Sequence, residues 1–323
     1  MRVLLTGGSG MLGRAMRRIA PDAAPDITLL APARAQLDLS DRAAVARWFV
    51  ANPVDAVIHA AARVGGIQAN IDAPVDFLVD NLRINDAIIT GAHDAGITRL
   101  IFLGSSCMYP RDYRQPLMEE DVMAAPLEPT NEGYALSKIT GARLCDYISR
   151  SNADRFYRTL IPCNLFGPED HFGSVASHLI AAIVTKVVDA RDAGAPDVGI
   201  WGSGDARREF LFSDDLVRFI LAALPVLDTY PDLLNVGYDT DHAVTDYYRM
   251  VADIAGYDGG FTYDPSRPAG MMRKCMTSAR ARALGWAPAT PLPDALATVV
   301  RAYEVQKAAQ GDGRTDGPGL DPV

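Results

Sequence analysis

The run Gly7-Gly8-Ser9-Gly10-Met11-Leu12-Gly13 follows the apolar stretch Val3-Leu4-Leu5 directly and opens an amphipathic one, and it constrains the fold more than any other feature of the chain. Gly7, Gly10 and Gly13 give a G-x-x-G-x-x-G spacing. Glycine lets the backbone turn at positive φ and approach a pyrophosphate closely, while the N-terminus of the following helix presents unpaired N–H groups to the phosphates. Such a motif alone is weak, since a tight βα turn with no ligand uses the same residues. Its position within the first fifteen residues, between a strand and a helix, favours a dinucleotide cradle.

The residues that follow repeat the pattern. Val3–Thr6, Ile27–Leu30, Ala56–Ala60, Leu100–Gly104 and Tyr157–Ile161 read as strands, and helices are predicted to begin near Met11, Asp41, Val75 and Asn131. This alternation implies right-handed crossovers and an α/β fold: a Rossmann-type, doubly wound parallel sheet with helices on both faces. After Asn164 the pattern loosens, with Pro- and Gly-containing loops expected at 167–174, 192–204 and 258–270. The expected division is a dinucleotide-binding domain over 1–165 and a smaller C-terminal α/β substrate domain over 166–207 and 238–309. The stretch 208–237 returns to the first domain, with a helix capped by Ser213. Residues 310–323, rich in Gly, Asp and Pro, read as a disordered tail.

Composition removes several classes of function. A net charge of −9 opposes a nucleic-acid partner, although helix N-termini and a few cations can still concentrate positive potential around an anionic nucleotide. No apolar run is long enough for a membrane span, and the N-terminal segment reads as a first strand rather than a signal peptide. The four cysteines, Cys107, Cys145, Cys163 and Cys275, show neither metal-ligand spacing nor a disulfide pattern. No metal is expected, and a reducing cytoplasm is the simplest compartment.

The second strand decides the cofactor. An acid at its end would bind the ribose 2′-hydroxyl of NAD, but Leu29-Leu30-Ala31-Pro32-Ala33-Arg34 offers none and supplies Arg34 for a 2′-phosphate. NADP(H) is therefore the expected cofactor, with Asp38 placed to accept from the adenine amino group; the alternative is that Arg34 is a solvated surface charge.

Tyr134-Ala135-Leu136-Ser137-Lys138 opens a helix, and the i, i+4 spacing sets the Lys138 ammonium near the Tyr134 phenol, where it should lower the phenol's pKa. With only four lysines and twelve tyrosines, chance supplies about 0.15 such pairs, so the pair is suggestive before any other motif is considered. Upstream, the strand ending at Gly104 runs into Ser105-Ser106-Cys107 at the carboxyl edge of the sheet, where open α/β folds bind ligands. A serine hydroxyl there can hold a carbonyl while Tyr134 protonates its oxygen and a nicotinamide delivers hydride.

These motifs, with AAARVGGIQAN at 60–70, FLGSSCMYP at 102–110, LEPTNEGYALSKITG at 127–141, PCNLFGP at 162–168 and WGSGDARREFLFSDD at 201–215, resemble the extended branch of the short-chain dehydrogenases. Within it they are similar to the GDP-L-fucose synthase family, and the likeness covers nearly all of residues 1–305. The resemblance implies an NADPH-dependent 3,5-epimerase and 4-reductase acting on a GDP-4-keto-6-deoxy-D-mannose-type sugar. Ser105, Tyr134 and Lys138 then serve reduction, and Cys107 and His178 exchange protons beside the ketone. It further implies that Leu39, Ala60, Ala62, Leu103, Gly104, Ser106, Pro162, Cys163, Asn164, Leu165 and His178 border the dinucleotide, and that Lys186, Trp201, Arg208 and Lys274 contact the GDP-sugar. A homodimer built through a four-helix bundle is implied as well. Two positions depart from the family. Ser9 replaces an arginine used for the 2′-phosphate, and Ala269 replaces an aspartate turned toward the substrate. Related enzymes of GDP-colitose and GDP-deoxyheptose synthesis remain alternatives, as do a UDP-sugar epimerase or dehydratase, an NADP-binding regulator and a structural protein that uses the fold only to dimerise. The Arg34 argument predicts a lower KM for NADPH than for NADH in steady-state assays; a preference for NADH would reject it.

Overall fold

The computed structural model describes residues 1–173, 177–266 and 271–311. Strands and helices alternate through the first half: β1 (Arg2–Thr6), α1 (Met11–Ala23), β2 (Thr28–Leu30), α2 (Arg42–Ala51), β3 (Ala56–His59), α3 (Ile67–Asp72), α4 (Pro74–Asp94), β4 (Arg99–Leu103), α5 (Glu132–Ser151) and β5 (Phe156–Pro162). The remainder comprises β6 (Asn164–Phe166), α6 (Leu179–Ala193), β7 (Asp197–Trp201), β8 (Arg207–Arg208), β9 (Phe210–Phe212), α7 (Ser213–Ala223), β10 (Leu233–Val236), β11 (His242–Ala243), α8 (Val244–Ala255), β12 (Gly260–Asp264), β13 (Arg273–Lys274), α9 (Ala279–Ala283) and α10 (Leu292–Gly311).

Six strands form one wholly parallel sheet in the order β10-β5-β4-β3-β1-β2. Its inner strands are buried along nearly their whole length, as the continuous aliphatic runs require when helices cover both faces. The order reverses between β1 and β3, and in open α/β sheets a ligand crevice lies at that point, beyond the carboxyl ends of the strands. The helices start where local chemistry allows. Asp41 caps α2 by accepting from the N–H groups of Ala43 and Ala44 at 2.9 and 3.0 Å. Pro74 occupies the first turn of α4, where its missing N–H costs nothing.

A first core, including Leu4, Ile58, Ile101 and Leu160, lies around the main sheet. A second, including Val184, Ile200, Tyr247, Val251 and Leu296, joins α6, α8, α10 and β7. Two predicted loops are in part strands: β7 lies inside 192–204 and β12 inside 258–270, and they pair in parallel from Asp197↔Gly260 to Trp201↔Asp264. Glycine and proline bound both strands, so five-residue segments were hidden within apparent loops. Ser213 does not cap α7. It is the first helical residue, its hydroxyl donates to Asp214 Oδ1 at 3.3 Å, and it is buried beneath Gly167, whose close approach leaves no space for a side chain there. The segment 210–212 pairs with β6 rather than with the main sheet, which β10 rejoins instead. Helix α10 continues through Gly311, so it takes in the first two residues of the predicted tail; residues 312–323 lie outside those described.

Glu209 fastens the substrate side to the sheet. Fully buried, it accepts N–H bonds from Tyr238 and Asp239 at Oε1 (2.6 and 2.8 Å) and from Met276 at Oε2 (2.8 Å). Burial pushes its carboxyl up to about 7 against the pull of these donors. Glu209→Gln would turn an amide NH2 against one N–H and leave it unsatisfied. Urea unfolding at pH 8 is expected to show a loss of about 1–3 kcal/mol, and an unchanged midpoint would refute this account.

Candidate active site

The glycine turn crosses itself tightly. Gly7 has φ +73°, and a Cβ on Gly13 would lie 2.1 Å from the Gly7 carbonyl oxygen, so neither position tolerates a side chain. Gly7 also abuts the backbone of Ala60 and Ala61, which brings the ends of β1 and β3 together at the switch point. Around Gly10, by contrast, a Cβ would meet nothing closer than the Gly7 oxygen at 3.4 Å. The α1 N-terminus carries no side-chain cap and no acidic residue in its first turn. Open space over uncapped N–H groups is what a pyrophosphate needs, so these residues fit a dinucleotide. At the end of β2, Arg34 and Asp38 are both exposed. Asp38 Oδ1 already accepts from Ser40 N and Oγ at 2.9 and 2.7 Å, and these bonds, with the charge of Arg34, hold its carboxyl below the ordinary value.

Ser105 ends β4's run into the short 3-10 turn Ser106–Met108, and its hydroxyl accepts from Cys107 N at 3.2 Å. The Tyr134 phenol hydrogen-bonds Ser105. One turn along α5, the Lys138 ammonium donates to Leu103 O at 2.7 Å and lies 4.9 Å from the Phe102 ring centroid and 5.8 Å from that of Tyr134. The i, i+4 placement holds, but its expected effect on the phenol does not. Burial raises the Tyr134 phenol well above its ordinary value, with Cys107 adding to the rise and Ser105 opposing it; burial also lowers Lys138 to about 7. Desolvation outweighs the attraction that the spacing suggested.

Cys107 is partly exposed, whereas Cys145, Cys163 and Cys275 are buried and all four are free. Two nitrogen donors converge on its sulfur: Asn131 Nδ2 at 3.2 Å and Lys274 Nζ at 3.7 Å. Lys274, predicted only as a substrate contact, therefore sits beside the thiol. In the sequence Asn131 marks only a helix start within LEPTNEGYALSKITG, and nothing in its spacing points to sulfur. His178 heads α6 with Nδ1 2.8 Å from Asp170 Oδ1. Its half-exposed ring is paired with an almost fully buried carboxylate, which outweighs desolvation and raises the imidazole. The loop after β6 that carries Asp170 packs over α1: Arg14 donates to the Glu169 carbonyl, and Arg18 reaches the Glu169 carboxylate.

The remaining predicted residues fall into two groups. Lys186 donates to Gly199 O at 3.0 Å and lies 5.6 Å from the ring of Trp201 in an open cleft of about 440 Å³ along β7 and β12. Trp201 is 60% exposed, which excludes ordinary core packing. Arg208 stands in register with Lys274 across β8 and β13, facing Glu128 electrostatically. Asn164 Nδ2 donates to Glu209 O at 2.9 Å, while Pro162 and Leu165 flank it at the carboxyl end of β5 and in β6. Ala269 lies outside the described residues. Among the described residues no group of three or more His, Cys, Asp or Glu could hold a metal, and no helix is long and apolar enough to cross a membrane.

Residues 3–237 match the NAD dependent epimerase/dehydratase family. The chain belongs to that family. It is 42% identical over 286 residues to a GDP-L-colitose synthase of Yersinia pseudotuberculosis, covering 88% of this chain and 92% of the relative. Identity to a GDP-L-fucose synthase of Azorhizobium caulinodans is 41% over 302 residues, covering 94% and 96%. Among solved structures, a Campylobacter jejuni GDP-mannoheptose C4 reductase with NADP bound superposes with TM-score 0.85 at 26% identity, covering 94% of this chain and 98% of that one. A Naegleria fowleri GDP-L-fucose synthetase gives 0.86 at 25% identity, covering 95% and 94%.

The arrangement holds a phenol protonated beside a serine hydroxyl and a sulfur, while the carboxylate-paired imidazole of His178 stands at the head of α6. The pairing predicts a pH dependence for any step in which His178 donates a proton. Because Asp170 raises the folded-state value, the donor form persists to higher pH and is lost as pH rises through that value. Asp170→Asn should move the alkaline limb of the rate profile to lower pH; a limb that stays in place would exclude His178 as the donor.

Proposed function

We propose that the chain uses NADPH to convert a GDP-4-keto-6-deoxy-D-mannose-type sugar to GDP-L-fucose, epimerising at C3 and C5 and then reducing the ketone at C4. The observation that carries this reading is the Cys107 sulfur, held by Asn131 and Lys274 beside the Ser105–Tyr134 pair. A simple ketoreductase has no use for a thiol there, whereas enolisation needs a proton acceptor next to the ketone.

Ser105 and Tyr134 hold the substrate ketone through its oxygen, which acidifies the neighbouring C–H bonds. Of Cys107 and His178, one removes the proton as the C–H pair becomes an enolate, and the other returns a proton to the opposite face. When bound, NADPH supplies the hydride that reduces C4. Tyr134 gives its phenolic proton to the oxygen as the carbonyl π bond breaks, and the buried Lys138 ammonium stabilises the phenolate that remains. Arg208 and Lys186 offer cationic charge to the diphosphate, Trp201 forms a flat apolar wall, and Lys274 meets the sugar beside the Cys107 sulfur. At the cofactor, Gly7 to Gly13 cradle the pyrophosphate while Arg34 meets the 2′-phosphate. Helices α4 and α5, which pack together and expose Val75, Leu136 and Tyr147, are the surface for a homodimer. The free thiols suit a reducing cytoplasm.

The colitose synthase relative supports a second reading, in which the preferred substrate lacks the 3-hydroxyl and only C5 inverts. Comparing kcat/KM for NADPH oxidation with GDP-4-keto-6-deoxy-D-mannose and its 3-deoxy analogue separates the two. In deuterated water the first substrate is expected to gain deuterium at C3 and C5. Tyr134→Phe should cut reduction by about 10²–10⁴-fold and slow that exchange much less, because Ser105 still holds the ketone oxygen. Cys107→Ser exchanging both positions at the wild-type rate would remove the thiol from the mechanism.

A further inference from the structure

The small three-stranded sheet β11-β8-β13 carries four cations in two pairs, Arg207↔Arg273 and Arg208↔Lys274, set by the parallel register of β8 and β13. Side chains in register share a face and successive ones alternate, so the pairs lie on opposite faces. The first pair closes on one carboxylate. Arg207 Nε and Nη2 reach Asp241 Oδ1 at 3.2 and 3.0 Å, and Nη2 also donates to the Asp241 carbonyl at 2.5 Å. Arg273 Nε donates to Oδ2 at 2.5 Å. The second pair faces the active site, with Lys274 on the Cys107 sulfur and Arg208 toward Glu128.

Asp241 is 5% exposed, while both arginine side chains are nearly half exposed. Burial would push its carboxyl up, yet the bonds to Arg273 and then Arg207 outweigh that and hold it below the ordinary value. A charged buried carboxylate shared by two guanidinium groups is a rigid joint. It is needed because β8 and β13 are only two residues each, and so few backbone bonds cannot fix their register.

We propose that Asp241 is a positioning residue: by clamping Arg207 and Arg273 on the outer face, it sets Arg208 and Lys274 side by side on the inner face for the sugar nucleotide. The proposal rests on the reading that Arg208 and Lys274 bind that substrate. Asp241 touches neither the thiol nor the Ser105–Tyr134 pair, so its loss acts through those two cations.

The test measures KM for GDP-4-keto-6-deoxy-D-mannose, kcat, the Kd for NADPH and the unfolding midpoint on the full chain. Asp241→Asn should raise the sugar-nucleotide KM about tenfold or more, the size of effect that displacing binding groups by a fraction of an ångström produces, and should leave the NADPH Kd within about twofold. Asp241→Glu should restore much of the loss. Arg273→Met keeps the Arg207 bond to Asp241 and should raise KM in the same sense, which covers the case in which the Asn variant does not fold. Arg208→Gln tests the underlying reading. If it raises KM while Asp241→Asn and Arg273→Met do not, or if those two weaken NADPH binding equally, the clamp is overturned and the reading stands. If Arg208→Gln leaves KM unchanged, the assignment of these cations to the substrate falls, and the clamp's role with it.

Discussion

A buried ammonium organises the catalytic end of the sheet. Lys138 is almost wholly removed from water, yet its only hydrogen bond among the described contacts goes to the carbonyl of Leu103, the last residue of β4, and its other close neighbour is the face of Phe102. A cation so poorly solvated keeps its charge with difficulty, which is why its value falls to about 7. The same bond pins α5 to the strand edge. Tyr134, one turn earlier, is thereby set beside Ser105, so the placement of the phenol and of the ammonium near it arises from one contact.

Behind this contact runs a chain of buried hydrogen bonds whose direction is fixed at every link. Asn85 donates from Nδ2 to the Ser137 carbonyl at 3.0 Å, so its Oδ1 must accept from His59 Nε2 at 3.1 Å. His59 Nδ1 then accepts from the Thr6 hydroxyl at 2.8 Å, and Thr6 Oγ1 accepts from Ala61 N at 3.2 Å. The histidine has to be neutral for this to work. Burial foremost, and the nearby Lys138 charge second, push it down to about 3. The wire joins Ala61, just after β3, to α5 at Ser137, and a protonated imidazole would break it at Thr6.

How much of this was legible depends on range. Strands β1, β3 and β4 and the helices between them follow from local periodicity, because burial on both faces demands unbroken aliphatic runs such as Val3-Leu4-Leu5. The glycine turn and the Tyr134–Lys138 spacing are local too. Asp241, Glu209 and Asn131 were not legible, because each acts on residues far along the chain: Glu209 bonds Met276, and Asn131 bonds Cys107. The one signal in the sequence was a lone acid inside the apolar stretch REFLF, since a carboxylate is buried there only if donors await it. β7 and β12 escaped notice because short strands flanked by glycine and proline resemble loops until their partner is known. A net charge of −9 gives no sign of which cations gather, and it is the pairing of two-residue strands that brings Arg207, Arg208, Arg273 and Lys274 onto one small sheet.

The two chemistries proposed for the site make opposite demands on protons, and the residues proposed for them differ in burial. Reduction needs a donor that does not lose its proton before hydride arrives, and desolvation keeps the Tyr134 phenol protonated well beyond neutral pH. The proposed proton exchange beside the ketone falls instead to groups nearer the surface, the half-exposed His178 imidazole and the partly exposed Cys107 sulfur. Lys138 stands between these regimes. Burial lowers its ammonium to about 7, and negative charge developing on the neighbouring phenol would favour its charged form.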